Sequence, residues 1–70
     1  MYRFLVVIER AGSNYSAYSP DLPGCVATGA TKEEVSHNMH QAIEMHVKGL
    51  VEDRQPVPQQ TAAAEYFAVL

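Results

Sequence analysis

YSPDLPGCVATGATKEEV, residues Tyr18 to Val35, decides how this chain folds. Pro20 and Pro23 have no N–H to give to a strand ladder, and Gly24 permits a sharp turn. The stretch therefore closes one strand near Ser19 and opens another at Cys25, which runs to Ala30. Thr31-Lys32-Glu33-Glu34 then fits a capping box, in which the Thr31 hydroxyl and the Glu34 carboxylate each satisfy a free backbone N–H. Glu33 and Glu34 also sit at the positive end of the helix dipole. Strand, rigid turn, strand and helix start follow one another with no spare residues.

Downstream, Val35, Met39, Ala42, Ile43, Val47 and Leu50 recur at helical spacing and form one apolar stripe. His46 falls within that stripe, where a partly buried packing role is expected. Glu33, His37, Gln41, Glu44, Lys48 and Glu52 occupy the opposite side, with Glu44 and Lys48 spaced as an i,i+4 pair. The pattern ends near Asp53, and Pro56 and Pro58 prevent its continuation. Arg54 to Ala63 is a polar connector, and the tail Glu65 to Leu70, EYFAVL, again has strand composition.

Upstream, Tyr2 to Glu9 is rich in aromatic and β-branched residues and predicts a first strand. Tyr2, Phe4, Val6 and Ile8 share one face, and Arg3, Leu5, Val7 and Glu9 the other. Ala11-Gly12-Ser13-Asn14 is a turn that folds Tyr15 to Ser19 back as a hairpin. The expected architecture is α+β: βββαβ, one domain over residues 1–70, with a single helix on one face of a small antiparallel sheet. A lone helix leaves Leu5 and Val7 on the uncovered face. Together with Tyr66, Phe67, Ala68 and Val69 of the tail, they form the expected oligomer interface.

Size supports the same expectation. A chain of 70 residues buries only about 60% of the surface its unfolded form exposes. Such domains usually lean on disulfides, metals or association. Cys25 is the only cysteine, so neither an intrachain disulfide nor a zinc ribbon or CxxC redox pair can form, and a cytoplasmic setting is expected. The apolar run Phe4 to Ile8 is too short for a signal-peptide core, and no stretch approaches a membrane span. With a net charge of −3 and five scattered basic residues, direct nucleic-acid binding is not expected. An acidic surface suits a basic protein partner.

The groups that could carry chemistry do not converge. His37 and His40 are three apart, but Glu34-x-x-His37 is only half of a di-metal carboxylate motif. Cys25 has no base placed beside it and reads as a small packing residue. Tyr2, Tyr15, Tyr18 and Tyr66 lack the basic groove that a base-stacking platform needs. Asp21 and Glu9 are too few for two-metal nuclease chemistry. No catalytic residue, metal ligand or cofactor site is expected.

Tyr18 to Val35, with Pro20-Asp21-Leu22-Pro23-Gly24-Cys25 followed by Gly29 and Thr31, resembles the signature of HicB-like proteins. The helix segment Asn38-Met39-His40-Gln41-Ala42-Ile43 and the flanking strands are similar too, so the resemblance covers nearly the whole chain. It implies a truncated ribonuclease-H-like fold without the nuclease's carboxylates. It further implies a type II toxin–antitoxin antitoxin, which masks a small basic, mRNA-cleaving toxin of the HicA type. Family antitoxins often repress their own operon through an added C-terminal DNA-binding module. About a dozen residues follow Pro58 here, so the resemblance does not carry DNA binding to this chain.

The Asp21–Cys25 turn then has two readings. It is a structural crossing rigidified by its prolines, or a loop that presents Asp21 and Leu22 to a partner. For the whole chain the leading expectation is a protein-binding module that forms a homo-oligomer, a dimer or tetramer. The alternatives are an orphan oligomeric domain with an unidentified ligand and a vestigial nuclease dependent on Asp21.

Overall fold

The computed structural model describes residues 1–70. Three strands, β1 (Val7–Ala11), β2 (Asn14–Tyr18) and β3 (Val26–Gly29), precede one helix, α1 (Lys32–Glu52). The strands form an antiparallel meander in the order β1-β2-β3. Ala11 pairs with Asn14, which leaves Gly12 and Ser13 as a two-residue hairpin turn. Gly12 has φ +64 at the first central position, where a type II′ turn requires glycine.

The segment between β2 and β3 is two turns sharing one residue. Leu22 N–H donates to Ser19 O and Cys25 N–H donates to Leu22 O, both at 3.1 Å. Pro20 and Pro23 each occupy the second position of a turn, where their fixed φ is already correct. Gly24, with φ +83, takes the third position of the second turn, as type II geometry demands. The shared residue, Leu22, is thereby driven into the core and is 1% exposed.

At the helix start, Glu34 N–H donates to Thr31 Oγ1 at 3.0 Å. The Glu34 carboxylate accepts from Ala30 N–H at 2.8 Å, one residue before the cap. Gly29 explains the tightness of this join. A Cβ there would lie 2.6 Å from Val35 N and 2.9 Å from Val35 Cα, so only glycine lets the first helical turn lie against the strand end. Asn38 Nδ2 donates to Thr28 O at 2.9 Å and ties the second turn to the edge strand. The helix ends in a Schellman arrangement, with Arg54 N–H donating to Val51 O and Gln55 N–H to Leu50 O. Arg54 adopts φ +57 to make it.

Ala17, Leu22, Cys25, Val35 and Met39 form the core, with Phe4, Val6, Ile8, Tyr15, Ala27, Ala42 and Ile43 packed around it. Ile8, Ala17 and Ala27 are cross-strand neighbours, which places that row beneath the helix.

Three expectations need correcting. The first strand begins at Val7 rather than Tyr2, because β2 ends opposite it at Tyr18 and the chain then leaves into the proline turns. The fifth element does not form: residues 65–70 belong to no strand, and no backbone–backbone hydrogen bond involves any residue beyond Gln55. Strand composition makes a strand only where a neighbouring backbone is available. His46 is exposed rather than half-buried. The helix of 21 residues is about 31 Å long, whereas strands of four or five residues reach about 13–17 Å. Its C-terminal half therefore overhangs the sheet.

Candidate protein-binding surface

Most of the chemistry-bearing side chains are engaged in structure or spread over the surface. Asp21 Oδ2 accepts from Thr61 N–H and Ala62 N–H, each at 3.0 Å, and Oδ1 accepts from Thr61 Oγ1 at 3.2 Å. The carboxylate thus clips the C-terminal segment to the double turn. Leu22 has no surface to offer in this conformation; the exposed members of that loop are Pro20, Pro23 and Gly24. Cys25 is buried, and desolvation pushes its thiol above the ordinary range, so it is held as an unreactive neutral group. Glu44 turns toward His40, with 3.6 Å between Oε1 and Nε2, on the solvated side of α1.

Three apolar surfaces remain open. On the sheet face away from the helix, Val7, Tyr18 and Val26 form a row across all three strands, with Tyr18 and Val26 exposed. Leu5 lies toward the N-terminal end of the same face, half-buried beside Gln60 and Ala62.

The second surface is a groove of about 720 Å³ between the N-terminal segment and the overhanging half of α1. Tyr2, Phe4, Val6 and Ile8 form one wall, and Met39, Ile43 and Val47 line the other, with His40, Glu44 and Lys48 among its polar residues. Tyr2 and Phe4 stack with ring centroids 6.4 Å apart, which stiffens the outer wall.

The third is the tail. Tyr66, Phe67, Val69 and Leu70 are 81–125% exposed. The tail stretches the molecule to 47 × 28 × 18 Å. Its radius of gyration is 13.5 Å, against about 11 Å for a compact chain of this length.

The apolar character of the tail and of Leu5 and Val7 is legible in the sequence, whereas the expectations drawn from it do not include the groove. Its signal was the shared face of Tyr2, Phe4, Val6 and Ile8, together with a helix too long for the strands beneath it. Nothing in the sequence pointed to Thr61 as the partner of Asp21.

Fold and surface together define a small α+β domain with uncovered apolar faces. The family model for the HicB-like antitoxin of bacterial toxin–antitoxin systems matches residues 4–69. A UPF0150 protein of Synechocystis is 32% identical over 71 aligned positions, covering 100% of this chain and 90% of that protein. A UPF0150 protein of Thermoplasma acidophilum is 30% identical, covering 86% and 88%. A 14.9 kDa protein of Haemophilus phage HP1 is 33% identical over 62 residues, 89% of this chain but 47% of the phage protein. No solved structure gives a significant match. The chain belongs to the HicB-like antitoxin family, which supports an antitoxin role and points to a non-catalytic protein. No helix is long and apolar enough to cross a membrane.

Proposed function

We propose that this protein is the cytoplasmic antitoxin of a type II pair, a non-catalytic homo-oligomer that covers a small basic, mRNA-cleaving toxin of the HicA type. The family match over residues 4–69 carries the reading. The order of sheet then helix is compatible with a truncated ribonuclease-H-like domain. The hydrogen bonds of the Asp21 carboxylate to Thr61 and Ala62 support a structural role for it.

Physical chemistry supports a protein ligand. The net charge of −3 favours encounter with a cationic partner. On the open face Tyr18 and Val26 offer an aromatic and an aliphatic anchor, with Glu9 exposed on the same face. The double turn contributes through Pro20, Pro23 and the rigidity that Asp21 and Leu22 give it. Leu5, Val7 and the tail residues Tyr66, Phe67, Ala68 and Val69 are assigned to association between copies.

Co-expression with the product of the adjacent open reading frame tests the reading. A toxic neighbour whose toxicity is relieved through a stable complex supports it. A neighbour that is neither toxic nor bound rejects toxin masking and leaves an oligomeric domain with another ligand.

A further inference from the structure

The geometry points to reciprocal arm exchange: Glu65–Leu70 of one copy lies along the free edge of β1 and the segment Tyr2–Val6 of a second copy, at the mouth of its Tyr2–Ile8/α1 groove. This rests on the homo-oligomer reading and specifies its interface.

Two segments of the chain share one deficiency. Residues 2–6 and 56–70 belong to no strand, and apart from the Asp21 clip, one Arg3 N–H contact to Gln60 Oε1 and the Pro58 carbonyl, which accepts from Gln60 Nε2, their backbones are unpartnered by protein. β1 is an edge strand, so its outer side is free along its length. Each segment is also apolar on both faces. Phe4, Val6 and Ile8 alternate with Leu5 and Val7; Tyr66, Ala68 and Leu70 alternate with Phe67 and Val69. A strand apolar on both sides suits a neighbour of the same kind, covered by the helix on one side and by the opposing copy on the other.

The Asp21 clip fixes where the arm leaves. Thr61 and Ala62 are held at the body, and the eight residues after them project from it, with Tyr66 and Phe67 104% and 81% exposed. Eight extended residues reach about 26–29 Å, enough to span the groove of another copy. Each chain carries one arm and one groove, so a two-fold pair satisfies both and closes. Burying Tyr66 and Phe67 of both arms alone removes about 600–1,000 Å², and with Val69, Leu70 and the opposing groove surface the total reaches the roughly 1,200 Å² or more of a stable interface. Charge is compatible: Glu65 is the arm's only charged side chain, Lys48 at the groove makes no ion pair within its own chain, and Glu44 there faces His40.

Light scattering after size exclusion tests this on the full chain, on a chain ending at Ala64 and on Phe67→Asp, with circular dichroism reporting the fold of each. The expected result is a full-length dimer, a monomeric shortened chain, and dissociation at least about 100-fold easier for Phe67→Asp. Should either variant fail to fold, Val6→Cys and Val69→Cys on separately tagged copies replace it. A disulfide between copies supports exchange, whereas a double variant that closes within one chain shows the arm folding home and overturns it. A dimer that survives loss of the arm overturns the exchange but leaves association standing. A full chain that is monomeric at every concentration overturns both, and long polymers overturn closure. Toxin masking is decided separately by the co-expression assay.

Discussion

Asp21 and Thr61 are forty residues apart in sequence, yet the Asp21 carboxylate accepts both the backbone N–H of Thr61 at 3.0 Å and its hydroxyl at 3.2 Å. The Pro-Asp-Leu-Pro-Gly turn is thus more than a crossing between strands. Leu22 anchors it in the core while Asp21, one residue earlier, grips the far end of the chain and sets the direction of the arm.

That grip makes the first prediction. Asp21→Ala removes three hydrogen bonds and is expected to cost about 1–2 kcal/mol, less than the sum of three because the site is largely solvated. Amide exchange at Thr61 and Ala62 is expected to accelerate more than exchange at Leu22 or Cys25. Uniform acceleration across all four would show that the clip is not a separable feature.

Gly29 and Gly49 give a contrast within one molecule. Gly29→Ala forces a methyl to within 2.6 Å of Val35 N and is expected to destabilise by about 1–3 kcal/mol. Gly49→Ala meets nothing within 4 Å and is expected to stabilise the helix interior by about 0.5–1 kcal/mol. Thermal unfolding of the two variants reads opposite signs.

Arg54 holds a left-handed conformation at φ +57 just past the helix. Arg54→Gly keeps the Schellman hydrogen bonds and relieves about 1 kcal/mol of backbone strain. An increase in melting temperature of about 4–8 °C is expected. No increase would mean that the arginine side chain contributes as much as its backbone costs.

Burial raises the Cys25 thiol above its ordinary range by desolvation. A group raised by folding favours the native state below the unfolded thiol's range, about pH 8.5. That contribution fades as pH rises through the native value. Cys25 is therefore expected to resist a thiol reagent at pH 8 in the native protein and to react fully in denaturant. Cys25→Ala is expected to flatten the alkaline fall in stability.

What was legible in the sequence was local. The Thr31/Glu34 cap, the helix end near Asp53 and the turn at Gly24 are each decided by residues within a few positions of one another. The features that escaped depend on distant partners. Whether Tyr2–Val6 pairs is decided by where β2 stops at Tyr18, and EYFAVL is strand-like without a strand beside it. His46 fits the helical stripe, but periodicity carries no information about the width of the sheet below. The Leu5/Val7 face and the tail were legible as uncovered apolar surface, because alternation on two faces exceeds what one helix can cover.

Toxin masking is tested most directly by inducible expression of the adjacent gene product in cells, with and without this chain, followed by tagged pull-down. The expected results are growth arrest by the neighbour alone, rescue by this chain, and a stable complex of the two. Growth unaffected by the neighbour, or arrest that this chain does not relieve, would contradict it.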